Sequence, residues 1–316
     1  MRRMPMLAAV VLSVLAVQQT ARACSVCRCG DQSFFINNAR QLTGGRLLIA
    51  VEHLHTRKSA AVLHGHDDGG HGLAKLSGSG SGQHEEVGRE AQTQHTVQLS
   101  FKYGLSDRLM LLATAPYVFN RIAADAGVET ANGLGDPEVM AIARLLDFGG
   151  GAWRLQGAAG GRLPLGAANL EEGAGVRRDQ HLQPGSGAWA GIFGVQLLQA
   201  SGRVPLFLSV SYQTNGSNEQ KFAYGNVFRF NAAAQTALTG SFDLIAEVNG
   251  RVADYDTFGA EADANSGGTA VYFSPGLRLR FGVASVRSQV QIPLVESLHG
   301  EQNEKINLRT GLVWEL

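Results

Sequence analysis

The fold is decided by the stretch Val271-Tyr272-Phe273-Ser274-Pro275-Gly276-Leu277-Arg278-Leu279-Arg280-Phe281. Its odd-numbered residues are apolar throughout, whereas the even-numbered ones include Ser274, Arg278 and Arg280. Alternation with a period of two predicts an extended strand with one dry face and one wet face. Arginine repeated on the wet face does not suit the sealed core of a β-sandwich. It is typical of a barrel whose outer wall meets lipid and whose lumen is polar.

The same patterning recurs along the chain, and the links between the strands alternate in length. Short turns near 104–107, 149–151, 201–203, 239–241 and 282 alternate with long links at 58–92, 121–135, 165–187, 214–226, 255–268 and 295–304. This asymmetry is typical of periplasmic turns and external loops. We therefore predict an all-β fold, a transmembrane antiparallel up-and-down β-barrel of about 12 strands. The predicted location is the outer membrane of a Gram-negative bacterium. The strand segments are 46–56, 93–103, 108–120, 137–147, 152–163, 188–198, 204–213, 227–238, 242–252, 269–281, 283–294 and 305–314.

The N-terminus has the features of a secretory signal peptide over residues 1–23. Arg2 and Arg3 precede an apolar run, and Ala21-Arg22-Ala23 supplies a small-residue cleavage site before Cys24. We expect residues 24–45 to form a periplasmic segment that contains all three cysteines. Residues 46–316 would form the barrel, with 58–92 as its first external loop. Lipidation of Cys24 is an alternative to simple cleavage. The net charge of zero offers no basic stripe for nucleic acid, so outer-membrane lipid and a small-molecule or metal solute are the expected partners.

The less apolar face of each strand is expected to point into the lumen, and it is rich in cations. The candidate selectivity residues are Lys102, Arg154, Arg229, Arg278, Arg280, Arg287 and Arg309. Arg251 is expected on the same face, opposite Glu52, Asp243, Glu247 and Glu315. An excess of inward guanidinium groups favours anions. The alternative is that these charges pair across a narrow, sealed barrel as a structural network.

The segment Asn132-Gly133-Leu134-Gly135-Asp136-Pro137 resembles the signature of an outer-membrane family named after the meta pathway of phenol degradation. The preceding strands, with the turn Tyr103-Gly104-Leu105-Ser106-Asp107, are also similar to that family. The resemblance covers about residues 93–165 and then becomes general barrel patterning. The resemblance implies an outer-membrane barrel associated with uptake, in a family whose members are transporter-like. It indicates neither a substrate nor any catalytic residues. Glycine at the start of a strand gives space for bending at the rim.

Histidines are concentrated in and beside the first external loop. The candidate metal ligands there are His53, His55, His64, His66, Asp67, Asp68, His71 and His84. Imidazoles and carboxylates on a glycine-rich chain can bind zinc, copper or nickel. The alternative is a solvated polar loop, or one that contacts lipopolysaccharide. No cofactor is certain on this basis.

The cysteines Cys24, Cys27 and Cys29 are the second group of candidate metal ligands. Covalent haem attachment is excluded because Arg28, not histidine, follows the second cysteine. A disulfide with one free thiol is one interpretation, and a soft-metal thiolate site is the other.

An enzymatic function is not predicted. Outer-membrane phospholipases carry a His-x-Ser-Asn-Gly element, and the comparable segment here is Tyr212-Gln213-Thr214-Asn215-Gly216. The hydroxyl of Thr214 lacks the histidine base that would activate it. The predicted function is therefore a transporter-like, porin-like channel for small solutes, with anions favoured. The alternative is a metal-capturing surface protein in which the barrel is only an anchor.

Overall fold

A computed structural model describes residues 42–63, 87–124, 127–172, 175–199, 204–300 and 302–316. No helix among these residues is long and apolar enough to cross a membrane. The predicted signal peptide, the cysteine segment up to residue 41 and the centre of the histidine-rich loop lie outside the described residues.

The described residues form nineteen strands, which are numbered in chain order. They are β1 (Leu47–Leu63), β2 (Val87–Gly104), β3 (Leu109–Ala124), β4 (Gly127–Leu134), β5 (Glu138–Phe148), β6 (Trp153–Arg162), β7 (Glu171–Glu172), β8 (Val176–Arg177), β9 (Ala190–Gln199), β10 (Leu206–Asn215), β11 (Phe222–Ala223), β12 (Val227–Ala237), β13 (Phe242–Ala253), β14 (Thr257–Phe258), β15 (Glu261–Ala262), β16 (Gly268–Phe281), β17 (Ala284–Leu298), β18 (Gln302–Glu304) and β19 (Asn307–Glu315).

Fourteen of these strands form one antiparallel sheet that closes on itself. Closure is made by β1, which pairs with β2 on one side and with β19 on the other. β4 and β5 both pair with β3, one beyond the other, and therefore occupy a single position in the barrel wall. β18 and β19 likewise occupy a single position beside β1. Fourteen strands with these two shared positions leave twelve positions around the barrel. The predicted up-and-down barrel of about 12 strands is confirmed.

The two faces of the wall differ as the alternation predicts. In β16, Phe273, Leu277 and Leu279 are exposed, whereas Tyr272 and Ser274 are buried. Exposed apolar side chains therefore cover the outside of the barrel, where lipid replaces water.

Exposed aromatic side chains mark both edges of this apolar belt. Phe193, Tyr212 and Phe228 lie side by side on β9, β10 and β12 near the end with long loops. Phe101, Tyr103, Phe148 and Phe281 are exposed near the end with short turns. Aromatic girdles at both interfaces are typical of outer-membrane barrels, and the protein is an outer-membrane β-barrel.

The hairpins on the external side are longer than the patterning predicts. β1 continues to Leu63 and β2 begins at Val87, although a loop is predicted over 58–92. Similarly, β3 and β4 pair as far as Ala124 and Gly127, within the predicted loop 121–135. Strands that rise above the membrane face no lipid, so no apolar alternation marks them in the sequence.

Candidate functional site

The lumen contains a row of inward side chains that crosses five neighbouring strands. In register, Asp243 on β13 is opposite Arg278 on β16, which is opposite Arg287 on β17. The row continues through Gly311 on β19 to Glu52 on β1. Asp243, Arg287 and Glu52 are each 2% exposed. Two adjacent arginines thus lie between two carboxylates in this row. We call this part of the lumen the polar wall (β13, β16, β17, β19 and the adjoining part of β1).

Glycines in the polar wall leave room for long side chains. A Cβ on Gly276 would lie 2.2 Å from Cγ of Gln289, and a Cβ on Gly311 would lie 3.0 Å from Cγ of Glu52. The space above Gly276 lets Gln289 reach across to β13, where its Nε2 donates to Oε2 of Glu247 over 2.7 Å. These two glycines therefore serve side-chain packing, a role separate from turn formation.

The structure brings most of the predicted lumen residues together, but some lie at different heights along the barrel axis. Lys102, Arg229, Arg287 and Arg309 are buried inside the barrel, and Arg154, Arg278 and Arg280 are partly buried. Arg280 pairs with Asp243 over 2.8 Å, and Arg229 donates to Gln213 over 3.0 Å.

Two of the predicted lumen cations lie apart from this group. Arg154 pairs with Asp147 over 3.1 Å beside the short turn 149–152, at the periplasmic end. Arg251 forms a salt bridge with Glu304 towards the external end of the lumen. Glu304 also forms a salt bridge with Lys58 over 3.1 Å.

An apolar cluster, which the sequence pattern did not reveal, fills the lumen across from β16 and β17. Buried side chains of β1, β3, β5, β6, β9 and β19 pack there against Leu42, whose amide donates to Sδ of Met110 over 3.2 Å. Strands with apolar residues on both faces, such as Leu109–Ala115, are the signal that would have revealed it. We call this group the apolar wall; it comprises Leu42, Ala50, Met110, Leu112, Met140, Ile142, Ala158, Ile192 and Val313.

A long connection between β6 and β9 folds inward over the external mouth, and we call it the cap (residues 163–172 and 175–189). Its residues 180–186 are all buried. Asn120, which points into the lumen from β3, donates from Nδ2 to the carbonyl oxygen of Leu182 over 2.8 Å. The cap therefore narrows the external half of the lumen.

The Asn132–Pro137 motif is the docking point of the cap. Asp136 accepts hydrogen bonds at Oδ1 from the amide of Gly166 over 2.9 Å and at Oδ2 from the amide and hydroxyl of Ser186 over 2.6 Å each. A Cβ on Gly135 would lie 3.2 Å from the carbonyl oxygen of Pro184, and one on Gly133 would lie 3.1 Å from Cβ of Ala167. Gly135 lies in the interruption between β4 and β5, where the chain bends at the rim, and Gly133 lies within β4. Both glycines allow the cap to approach closely.

His181 connects the cap to two neighbouring external loops. Its Nδ1 is 3.0 Å from Oδ1 of Asp179, and its Nε2 is 3.4 Å from Oδ2 of the buried Asp256. Phe222 and Tyr224 contact the imidazole edge-on. Burial alone would lower the pKa of His181, but the hydrogen bonds to Asp179 and Asp256 outweigh it, and the pKa is raised well above its usual value. A protonated imidazole between two carboxylates holds these loops together.

Two of the predicted metal ligands, His53 and His55, lie on the outside of β1. His53 Nε2 is 3.1 Å from Nδ1 of His95 on β2, and the His55 ring centroid is 4.5 Å from that of His95. Within the described ranges, no group of three His, Cys, Asp or Glu side chains is arranged to hold a metal ion. The remaining candidates lie outside those ranges, and metal binding stays a prediction. They are His64, His66, Asp67, Asp68, His71, His84, Cys24, Cys27 and Cys29.

The segment compared with phospholipases lies on the outer wall. Tyr212 and Thr214 are both exposed on β10. His181 is engaged within the cap, and His299 stacks on Tyr255 with ring centroids 4.0 Å apart. Both histidines are thus engaged away from Thr214, and neither is placed as a base for its hydroxyl.

Comparison with known proteins supports the family resemblance. Residues 70–292 match the model of the family described as the "MetA-pathway of phenol degradation". Among solved structures, an outer membrane channel from Pseudomonas putida F1 is similar with a TM-score of 0.64 and 15% identity, over 88% of this chain and 98% of that chain. No curated protein matches the chain in sequence.

More distant likenesses extend over similar lengths. The translocator domain of autotransporter NalP from Neisseria meningitidis has a TM-score of 0.48 and 9% identity, over 88% of this chain and 91% of that chain. The Ralstonia pickettii toluene transporter has a TM-score of 0.42 and 10% identity, over 87% and 90%.

Proposed function

The chain belongs to the outer-membrane family described as the "MetA-pathway of phenol degradation", and on that premise we propose that it is a channel for small solutes that favours anions. The observation that supports the proposal is the polar wall. Its inward arginines are held in fixed positions by register and by neighbouring carboxylates. Positive side chains concentrated in a narrow passage raise the local concentration of anions.

The apolar wall opposite narrows the class of solute further. Arg287, Arg309, Met110 and Ile142 are at most 2% exposed, so a solute reaches them only when the lumen opens. An anion with an apolar body would then place its charge against Arg287 or Arg309 and its body against Met110 and Ile142. A fully hydrated inorganic anion gains nothing from that second surface, because burying apolar area is favourable only for apolar solutes. Small organic anions are therefore the proposed substrates, and no catalytic role is assigned.

The proposal predicts a measurable ion preference. We expect discrete anion-selective openings of the purified protein in planar bilayers under a salt gradient, and a smaller anion-to-cation permeability ratio in Arg309→Gln. Removing one guanidinium from the lumen removes part of the potential that attracts anions. The matched control is Arg108→Gln, which removes an exposed arginine in the turn at the periplasmic end.

Folding of each variant is checked by its shift on a gel with and without heating. Cation selectivity of the folded protein, or an Arg309→Gln variant with unchanged selectivity, would contradict the proposal. A silent bilayer from folded protein would instead support a sealed barrel whose charges form a structural network.

Surface metal capture is the second proposal, supported by the contact between His53 and His95 below the histidine-rich loop. Zinc or copper affinity should then fall when His64, His66 and His71 become alanine, while conductance persists. Conduction that is lost together with metal affinity would argue against a barrel that serves only as an anchor.

A further inference from the structure

The outer wall has one arginine at the external edge of its apolar belt, on β3, and a second one beyond the outward histidines of β1. Along β3, the outward side chains from Leu111 to Phe119 are apolar, and Arg121 is the next outward residue. With a strand rise of about 3.3 Å and a tilt of about 40°, that stretch spans roughly 20 Å, close to the height of the apolar band in such barrels. Arg121 is exposed and therefore stands where hydrocarbon gives way to headgroups.

Arg57 on β1 lies in the same row across the strands as Arg121. Register places Arg57 opposite Thr93 on β2, and Thr93 opposite Arg121 on β3. The two arginines are thus two strand spacings apart, about 10 Å between backbones, and both are exposed. The next outward residues towards the periplasm on β1 and β2 are His55 and His95. Imidazoles in the hydrocarbon would be costly, so this part of the wall lies in the headgroup layer.

The surroundings of these arginines favour an anion as the occupant. No ion pair among the described residues involves Arg57 or Arg121. Their outward neighbours in the row, Thr93 and Thr130, are hydroxyl residues without charge. Guanidinium groups bind phosphate with two parallel hydrogen bonds, and a hydroxyl between them adds a donor.

We infer that Arg57 and Arg121, with Thr93 between them, bind the phosphate of a glycolipid in the external leaflet of the outer membrane. The lipid tails would then lie against the apolar belt below, beside Phe119 and Val97. This position suits a membrane-anchored phosphate better than a free one, because only the anchored phosphate is held at this depth. The site is independent of what passes through the lumen.

The test uses the purified full-length protein in detergent micelles with a chelator present. The probe is bisphosphorylated lipid A, and binding is followed by calorimetry and by the rise in the unfolding midpoint. We expect Arg57→Gln/Arg121→Gln to weaken binding at least about tenfold, as the loss of two charge-assisted contacts implies. Arg57→Lys/Arg121→Lys should retain part of the affinity, because lysine keeps the charge but not the paired geometry.

The controls separate this site from general attraction to a charged lipid. Arg108→Gln, at the opposite end of the barrel, should bind lipid A as the wild type does. Equal binding by the double glutamine variant, or equal affinity for dephosphorylated lipid A, would overturn the inference. Binding of inorganic phosphate as tight as that of lipid A would overturn the assignment to a lipid and identify a free anion as the ligand.

Discussion

Replacing Asp136 with alanine is expected to release the cap from the rim of the barrel. The carboxylate accepts three hydrogen bonds from Gly166 and Ser186, and it is 7% exposed. Hydrogen bonds to a charged group contribute about 1.5–3 kcal/mol each, so we expect docking to weaken by about 3 kcal/mol or more. Hydrogen exchange of the amides in 180–186 should then be at least about a hundredfold faster, and the mean conductance should rise.

The matched variant is Asp136→Asn, which keeps one acceptor oxygen and should produce a smaller increase in exchange. Exchange in β16 serves as the internal reference, because a loss of the whole barrel would accelerate both regions. If Asp136→Ala leaves the exchange of residues 180–186 unchanged, the hydrogen bonds of Asp136 do not hold the cap.

Raising the pH is expected to loosen the same cap through His181. Its folded-state pKa lies well above its usual value, so the protonated imidazole stabilises the cap fully below about pH 6.5. That contribution is lost as the pH rises through the raised folded-state pKa. The groups that face the imidazole are Asp179, Asp256 and Tyr224. We expect the cap to lose about the 1.5–3 kcal/mol that one hydrogen bond to a charged group contributes, so its amide exchange should rise about tenfold or more after correction for the intrinsic effect of pH.

The control for this prediction is His181→Gln, which cannot become charged. Its cap should exchange faster than that of the wild type at neutral pH and show no further corrected increase at high pH. A pH-dependent step of the same size in His181→Gln would assign the effect to another group.

The barrel was predictable from the sequence because lipid and lumen act on alternate residues. Leu277 and Leu279 meet lipid while Ser274 points inward, and the period of two follows directly. The extensions of β1 and β2 above the membrane were not predictable, because no lipid faces them and apolar residues therefore need not alternate with polar ones. The position of the cap could not be predicted from the sequence for a different reason. Its contacts with Asp136 and Asn120 join residues far apart in sequence, and a loop of polar residues looks the same whether it is solvated or folded inward.

The motif around Asp136 was also only partly predictable from the sequence. The sequence correctly marked Gly133 and Gly135 as special, and the family match confirms the resemblance. A glycine that permits a bend and a glycine that permits close contact look identical in a sequence. The distances to Ala167 and Pro184 distinguish them, and they require the partner segment to be in place.

The unequal walls of the lumen have a consequence for the molecules inside it. With charged groups on one side and Met110 and Ile142 on the other, the electric field in the bore has a component perpendicular to the barrel axis. A solute with a dipole would be turned to one preferred orientation and would lose much of its rotation. Two isomers of equal size and charge, differing only in where the charge sits on the carbon skeleton, would then cross at different rates.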